Sequence, residues 1–554
     1  MGTRTKKLYH NKIKQSIYSG QTSCYNNFIL GGYMKELRVL FDDSNGMYLA
    51  WEKSKIANKY VILGKDDTFN DMTIKETTNN VEYIKTEELK GMVAVTVEYM
   101  VTDEKTHKDV VIDRTTTELR SLNIFKVLLV KAIKSFKGIS ISFASNVIYD
   151  RYYIYEKKDG KYTKIIETED FQVTSSLFKE GNTYYIEGFK KEENGDYSLK
   201  AKSQDFELVT EDYVYNVTEP KISIVMPAYN IARILHRTID SIIFSSLKDI
   251  ELIMLNDGSK DKTIEVMNWY KNKYPGLITV IDKENEGQAI TRYKGLSYVH
   301  AKYTFFMDAD DMVHPEMFKK MYECIEREQA DFVMNKIIFK SKFNESSIYF
   351  NHIDDTTSET RCLVEDYETY IKNKHNGSYN NFYLVTLWHQ IGKTEIYKAH
   401  KMPHFDNYED IAYVRLVSAY GNKFAFQMDS YYVWDRRIGN YLGSSSTRSV
   451  KKDSTEKKIQ MYVDAVFYFV NDYDKDRLEL LYYDALNDVV GYIEPTLNAI
   501  KNGNKYNNDN LYIEHSYKYF KMHDLLNMPL IMNNERLTRM IREVILLKEN
   551  IYDE

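Results

Sequence analysis

At Pro220 the rhythm of this chain changes, and that change constrains the fold more than any other feature. Before it, from about residue 34 to 218, short alternating runs such as "KYVILGKDD", "GMVAVTVEYMV" and "RYYIYEKKDGKYTKIIET" are broken by Gly, Asn and Asp turns. That is the pattern of antiparallel β-sandwiches. After it, "KISIVMPAY" reads as a continuous apolar strand, followed by a helical stretch, the strand "IELIMLNDGS", a second helix, "LITVID", a third helix and "YTFFMDADD". Strand–helix alternation predicts a mostly parallel α/β sheet with helices on both faces. Ligands in such sheets bind beyond the carboxyl ends of the strands. Three of these strand ends carry distinctive polar residues, Ala228–Asn230, Asn256–Ser259 and Asp308–Asp311, and they are expected to converge on one crevice.

A chain of 554 residues is too long for one core. The expected division is a lead over 1–33, a β-sandwich over 34–127, a second, fibronectin III-like sandwich over 128–218, the α/β domain over 219–450 and a helical domain over 451–554. Trp51 and Tyr60 are candidate core residues of the first sandwich. Leu177, Gly181 and Tyr184 have the spacing of a tyrosine corner in the second. Past 450, apolar residues recur every three or four positions, as in a small helical bundle. No chemistry is visible in it, and its use in partner contact, oligomerisation or acceptor binding stays open.

Composition narrows the function. A net charge of −6 disfavours a nucleic acid partner. Cys24, Cys324 and Cys362 are odd in number, widely spaced and without zinc-site spacing, which suits a reducing cytoplasm. The most membrane-like stretch, "FKVLLVKAIKSF", is interrupted by lysines and far too short to span. The expectation is a cytoplasmic protein, with peripheral contact at the inner face of the membrane and homo-oligomerisation left open.

The acidic residues carry the chemistry. In an extended Asp308-Ala309-Asp310 both carboxylates lie on one side, and they offer the hard oxygen ligands that Mg²⁺ or Mn²⁺ takes. Asp311 suits the cap of a following helix whose start is marked by Pro315. Read alone, the cluster fits a solvated turn equally well. Asp257, Ser259 and Asp261 likewise precede a helix and suit its N-cap. Glu409-Asp410 reads either as a helix-start pair stabilised by the dipole or as a catalytic pair.

In order along the chain, "VMPAYN", "LNDGSKDKT", "NEGQAITRYKG", "FFMDADD" and "NYEDIAYV" resemble a family 2 inverting glycosyltransferase of the GT-A fold, similar to bacterial wall teichoic acid and capsule transferases. The resemblance covers about residues 220–450. It implies a UDP-sugar donor whose nucleobase lies against Pro227, Ala228 and Tyr229, with Asp257 accepting the base's ring N–H. Asp308 would reach the ribose or a Mn²⁺ or Mg²⁺ ion, and Asp310 would ligate that ion. Asp410 would be the base that deprotonates the acceptor hydroxyl, and Glu409 would orient it or bind the acceptor. Gly287 would permit a tight start to the next helix. Arg292 would steady the donor region or pair with a carboxylate. Arg436 or Arg437 would clamp the diphosphate, in a loop whose Gly439 and Gly443 suit closure. Trp388 would support sugar or acceptor, and His404 is a further acceptor-side candidate, whereas His300 and His314 read as ordinary histidines.

Two positions depart from the family pattern: Tyr293 stands at a usual Asn, and His389-Gln390 at a usual Asn-Lys. The acceptor implied is a hydroxyl of a bacterial surface glycan, teichoic acid or glycoprotein. A nucleotidyltransferase would want a Gly-rich basic loop after the first strand, which "MPAYNIARIL" lacks. A non-catalytic glycan-binding scaffold built on the two sandwiches is the remaining competitor.

Overall fold

The computed structural model describes residues 37–118, 130–340, 347–348, 362–435 and 455–551, except 43–45, 52–56, 58, 67–70, 79–80, 86–91, 103–108, 144–148, 192–194, 204, 377–385, 406–407, 472, 474 and 503–510. The lead over 1–33 and the loop carrying Arg436, Arg437, Gly439 and Gly443 lie outside the described residues, as does the side chain of Trp51. The chain divides into two compact units, 1–125 and 126–554.

The first unit is antiparallel β. One sheet joins Leu37–Asp42, Gly46–Trp51 and Val81–Lys85, and a second runs Asp71–Thr77, Lys59–Asp66, Met92–Thr102, Asp109–Glu118. Tyr60, Ile62 and Val97 are buried.

The second unit opens with two further antiparallel sheets, Lys161–Thr168, Arg151–Lys158, Thr183–Lys191, Tyr197–Lys202 and Gln172–Ser175, Gly138–Ser142, Lys131–Ser135. Here the Lys179 N–H donates to the Tyr184 hydroxyl at 2.9 Å, tying the chain back on itself beside Gly181, whose φ is +79°. The buried partner of Tyr184 is Phe178 rather than Leu177, which is exposed. These sheets are fastened to the α/β part: Ser135 Oγ lies 2.9 Å from the Tyr270 hydroxyl. Thr174 and Tyr270 both reach buried Asp240, at 3.1 and 2.6 Å.

From Ile222 a mixed sheet forms the centre of the molecule. Its strands are β1 (Ile222–Ala228), β2 (Ile250–Asp257), β3 (Ile278–Lys283), β4 (Tyr303–Phe306), β5 (Met312–Val313), β6 (Phe332–Lys340), β7 (Ser347–Ile348), β8 (Cys362–Asp366), β9 (Gln390–Lys393) and β10 (Lys423–Asp435). The order is β3-β2-β1-β4-β9-β6-β10-β5, with β7 on β6 and β8 on β10. The expected parallel core is β3-β2-β1-β4, and β9 then pairs antiparallel with β4 and β6. Alternation along β1 sends Ile222, Ile224, Met226 and Ala228 to one core and Val225 to the other. Both faces are therefore covered, which is why this strand is apolar throughout.

Helices α1 (Leu235–Ile243), α2 (Thr263–Lys273), α3 (Gln288–Gly295), α4 (Met317–Glu328), α5 (Tyr367–His375), α6 (Thr394–Ala399) and α7 (Glu409–Ser418) belong to this layer. Beyond it come α8 (Thr455–Val466), α9 (Leu478–Lys501) and the helices Leu511–Phe520 and Glu535–Ile551. Their apolar faces share one core with α7: Tyr413, Val414 and Val417 pack with Val463, Val466, Leu481 and Ala485. Among the described residues no helix is long and apolar enough to cross a membrane. Cys324 on α4 is buried and disulfide-bonded, against the expectation of reduced thiols. Sequence separation says little here, because pairing depends on proximity in the folded chain.

Candidate functional site

The site is built where β1, β2 and β4 end. The turn after β1 is laced to the turn after β2. The Asn230 N–H donates to Ser259 Oγ at 3.0 Å, the Ile231 N–H to Thr263 Oγ1 at 2.8 Å, and the Lys260 N–H to Asn230 Oδ1 at 2.7 Å. Asn230 holds φ at +50°, a conformation Asn tolerates better than most residues. Pro227 and Ala228 are buried at the strand end, whereas Tyr229 is 38% exposed and free to meet a ligand with its ring.

Asp257 is neither a solvated turn residue nor a helix cap. Helix α2 begins at Thr263, whose N–H donates to Asp261 Oδ1 at 3.0 Å. The Asp257 carboxylate instead holds the segment after β3. Its Oδ1 takes Lys283 Nζ and the Glu286 N–H (2.9 Å), and its Oδ2 takes Asn285 Nδ2 (3.2 Å) and the Gly287 N–H (3.0 Å). Four donors fill the four acceptor positions of a carboxylate, so a nucleobase N–H would have to displace one of them. Gly258 makes the approach feasible: its φ is +68°, and a Cβ there would lie 2.6 Å from the Asn285 nitrogen. Gly287 sits at the N-cap of α3 with φ +88°, the tight helix start its position suggested.

Helix α3 then delivers Arg292, 2% exposed, into the acids. Its Nη2 lies 2.7 Å from Asp308 Oδ1 and its Nη1 lies 2.9 Å from Glu409 Oε1. Gln288 Nε2, one turn earlier, donates to the same Asp308 oxygen at 3.1 Å. Asp308 and Glu409 are 101 residues apart in sequence, and one guanidinium joins them. Burial alone would lower the pKa of Arg292, yet the carboxylates of Asp308, Glu409 and Asp410 outweigh it and raise it. Burial raises Glu409, with Arg292 opposing. Burial and then the neighbouring Glu409 charge push Asp410 up to about 7, with Arg292 again opposing.

Asp308, Asp310 and Asp311 each offer an oxygen, and these lie within 4.8 Å of one another. Three carboxylates at one point suit a hard divalent cation. Asp311 does not cap a helix. It is buried, accepts the Tyr432 hydroxyl at 2.6 Å and the Asp435 N–H at 2.9 Å, and α4 begins at Met317 with Glu316 at its N-cap. Burial, then the charges of Asp310 and Asp308, raise its pKa well above the usual carboxylate range. Arg292 brings positive charge to this group through Asp308.

Trp388 is 4% exposed and stacks on Tyr432 at 4.9 Å between ring centres. It thus backs the residue that holds Asp311. His404 is exposed in the segment before α7. His300 pairs with Glu251 at 2.9 Å, and buried His314 packs on Tyr431, so neither joins the acidic cluster. His389 is fully buried, with Thr386 Oγ1 2.9 Å from its Nδ1. Sequence reasoning missed Lys283, Asn285, Gln288 and Tyr432. The first three flank Gly287 in "DKENEGQ", a polar run directly after a strand end, which was the available signal.

Residues 223–387 match the sequence model of the family described as "Glycosyl transferase family 2". The match takes in Asp257, Arg292, Asp308 and Asp310 and ends before Trp388 and Glu409. Similar proteins include "Glycosyltransferase GlyA" of Streptococcus pneumoniae, 28% identical over 33% of this chain and 26% of that protein. The "Cholesterol galactosyltransferase" of Borreliella burgdorferi is 27% identical over 41% of this chain and 63% of that protein. "Poly(ribitol-phosphate) beta-N-acetylglucosaminyltransferase TarP" of Staphylococcus aureus is 37% identical over 21% of this chain and 36% of that protein. The chain thus spans less than two thirds of the length of each of these relatives. Residues 223–387, which carry the strand ends with Asp257 and Asp308, thus match a family 2 glycosyl transferase domain.

Proposed function

We propose that this protein is a metal-dependent, inverting glycosyltransferase with a GT-A-type catalytic domain. It moves a hexose or N-acetylhexosamine from a UDP-sugar to a hydroxyl of a bacterial surface glycan, teichoic acid or glycoprotein. One observation carries the reading: Arg292 holds Asp308 with one nitrogen and Glu409 with the other, and Asp410 sits beside them. Donor-side and acceptor-side acids therefore meet at a single point. The family match supports the reaction class, and the names of two relatives, a poly(ribitol-phosphate) β-N-acetylglucosaminyltransferase and a poly(ribitol-phosphate) β-glucosyltransferase, support a hexosyl or N-acetylhexosaminyl donor and a polyol-phosphate acceptor.

The nucleobase lies against Pro227, Ala228 and Tyr229, over a loop that Asp257 keeps in shape. Asp308 and Asp310, with Asp311 beside them, would hold a divalent cation. When bound, Mn²⁺ or Mg²⁺ supplies positive charge against the departing diphosphate. Asp410 takes the proton of the acceptor hydroxyl as its oxygen attacks the anomeric carbon from the side opposite UDP. The sugar–phosphate bond breaks in the same displacement, which inverts the anomeric centre and needs no second nucleophile. Arg436 or Arg437, outside the described residues, would clamp the diphosphate.

A panel of UDP-sugars, assayed for UDP release with and without EDTA, tests this. Release from one UDP-hexose or UDP-N-acetylhexosamine is expected, suppressed by the chelator and abolished in Asp410→Ala. No release, together with no shift in melting temperature on adding UDP and Mn²⁺, would sink it.

A further inference from the structure

Helix α7 presents Glu409 and Asp410 at its first two positions. Its opposite flank is gripped by the C-terminal helices. Arg415 lies five residues after Asp410, about 7.5 Å along the helix axis, and is 4% exposed. Its Nε meets Asp484 Oδ2 at 2.6 Å, its Nη1 donates to the Val466 carbonyl at 3.2 Å, and its Nη2 meets Asp488. Lys374 Nζ and His375 Nε2 from α5 reach the same Asp484, both at 2.6 Å.

His375, Asp484 and Asp488 stand close enough together to hold a metal ion. With Lys374 and Arg415 already on both carboxylates, the group is instead a charge-balanced buried network. At the other end of α7, Tyr408 holds φ at +66°, an uncommon conformation for a bulky residue, retained only where the surroundings impose it. Its ring stands edge-on to Tyr462 of α8 at 5.5 Å, and Tyr462 meets Tyr492 of α9 at 5.4 Å.

We propose that the C-terminal helices are part of the transfer machinery. By holding Arg415 between Asp484 and Asp488, and Tyr408 against Tyr462, α8 and α9 set where α7 lies and so aim Asp410 at the donor-side acids. Arg415, Tyr408 and Tyr462 are positioning residues that touch no reacting atom. The catalytic consequence rests on the transfer reading above, while the geometric claim has its own readout.

The test uses the full chain with Tyr462→Ala, Tyr462→Phe and Asp484→Asn, followed first by backbone hydrogen exchange. In Tyr462→Ala, amides of 409–418 are expected to exchange roughly tenfold faster, with 222–228 and 250–257 unchanged. Tyr462→Phe keeps the ring and restores the wild-type pattern. Unchanged exchange over 409–418 in Tyr462→Ala overturns the proposal whatever the activity, and so does equal acceleration of both regions. If Asp484→Asn fails to fold, the Tyr462 pair still decides.

In turnover, kcat of Tyr462→Ala should fall about 10-fold to 100-fold with UDP affinity unchanged. A matched loss of UDP affinity and kcat overturns the proposal. Selective exchange in a protein whose wild type never releases UDP supports the positioning claim and sinks the transfer reading instead.

Discussion

Asp410 combines burial with a neighbouring acid, and both push its pKa in the same direction. Folded, its pKa is about 7, against roughly 3.9 for a free aspartate. The fold therefore favours the neutral form: this contribution to stability is full below about pH 4 and is lost as pH rises through 7. Asp410→Asn stays neutral at every pH, so its melting temperature should exceed the wild type's at pH 8. The gap should grow between pH 4 and 7 and level off above. Turnover, which needs the ionised base, should rise with pH through about 7 in the wild type and fall at least about 100-fold in the variant, with UDP affinity kept. Arg292 poses the converse problem. Arg292→Ala leaves buried Glu409 and partly exposed Asp308 without their cation, and urea unfolding should report a loss of about 3 kcal/mol, the low end for breaking a buried pair. A loss below 1 kcal/mol would mean that Arg292 bridges nothing of consequence.

At the scale of elements, the site depends on turns more than on strands. The turns after β1 and β2 are bonded to each other through Asn230, Ser259 and Thr263, and Asp257 then fastens the segment before α3. Arg292 is carried into place by that chain of contacts. Gly258→Ala would put a methyl group 2.6 Å from the Asn285 backbone nitrogen at a positive φ, so the 283–287 segment must move. Calorimetric titration should find UDP binding weakened about tenfold, close to 1.4 kcal/mol. Unaltered affinity would mean that the turn does not shape the nucleotide side. The motif "NDGS" marked this place in the sequence, but its Asp also looked like a helix cap because its donors arrive from a loop 26 to 30 residues away.

At the scale of the whole molecule, residues 126–554 form one compact unit, because both faces of the central sheet are covered by segments that looked like separate domains. Ile133, from the strand Lys131–Ser135, packs in the same core as Ile222 and Leu235, and α8 and α9 complete the core around α7. A fragment of 126–554 should melt cooperatively and bind UDP. A fragment of 219–450, stripped of both covers, should exchange its amides as an unfolded chain does. Cooperative melting of the shorter piece would refute that dependence.

Periodicity and punctuation were enough to read the antiparallel strands described between 37 and 207, the parallel strand–helix alternation after Pro220 and the acids at its strand ends, because these are local consequences of side-chain spacing and backbone freedom. The pairing of Asp308 with Glu409 through Arg292, the occupation of Asp257 by Lys283, Asn285 and two backbone amides, the hold of Tyr432 on Asp311 and the fastening of α7 by Asp484 were decided only by the folded chain. Each joins charged or polar groups from distant segments, and such groups find partners according to what burial brings within reach.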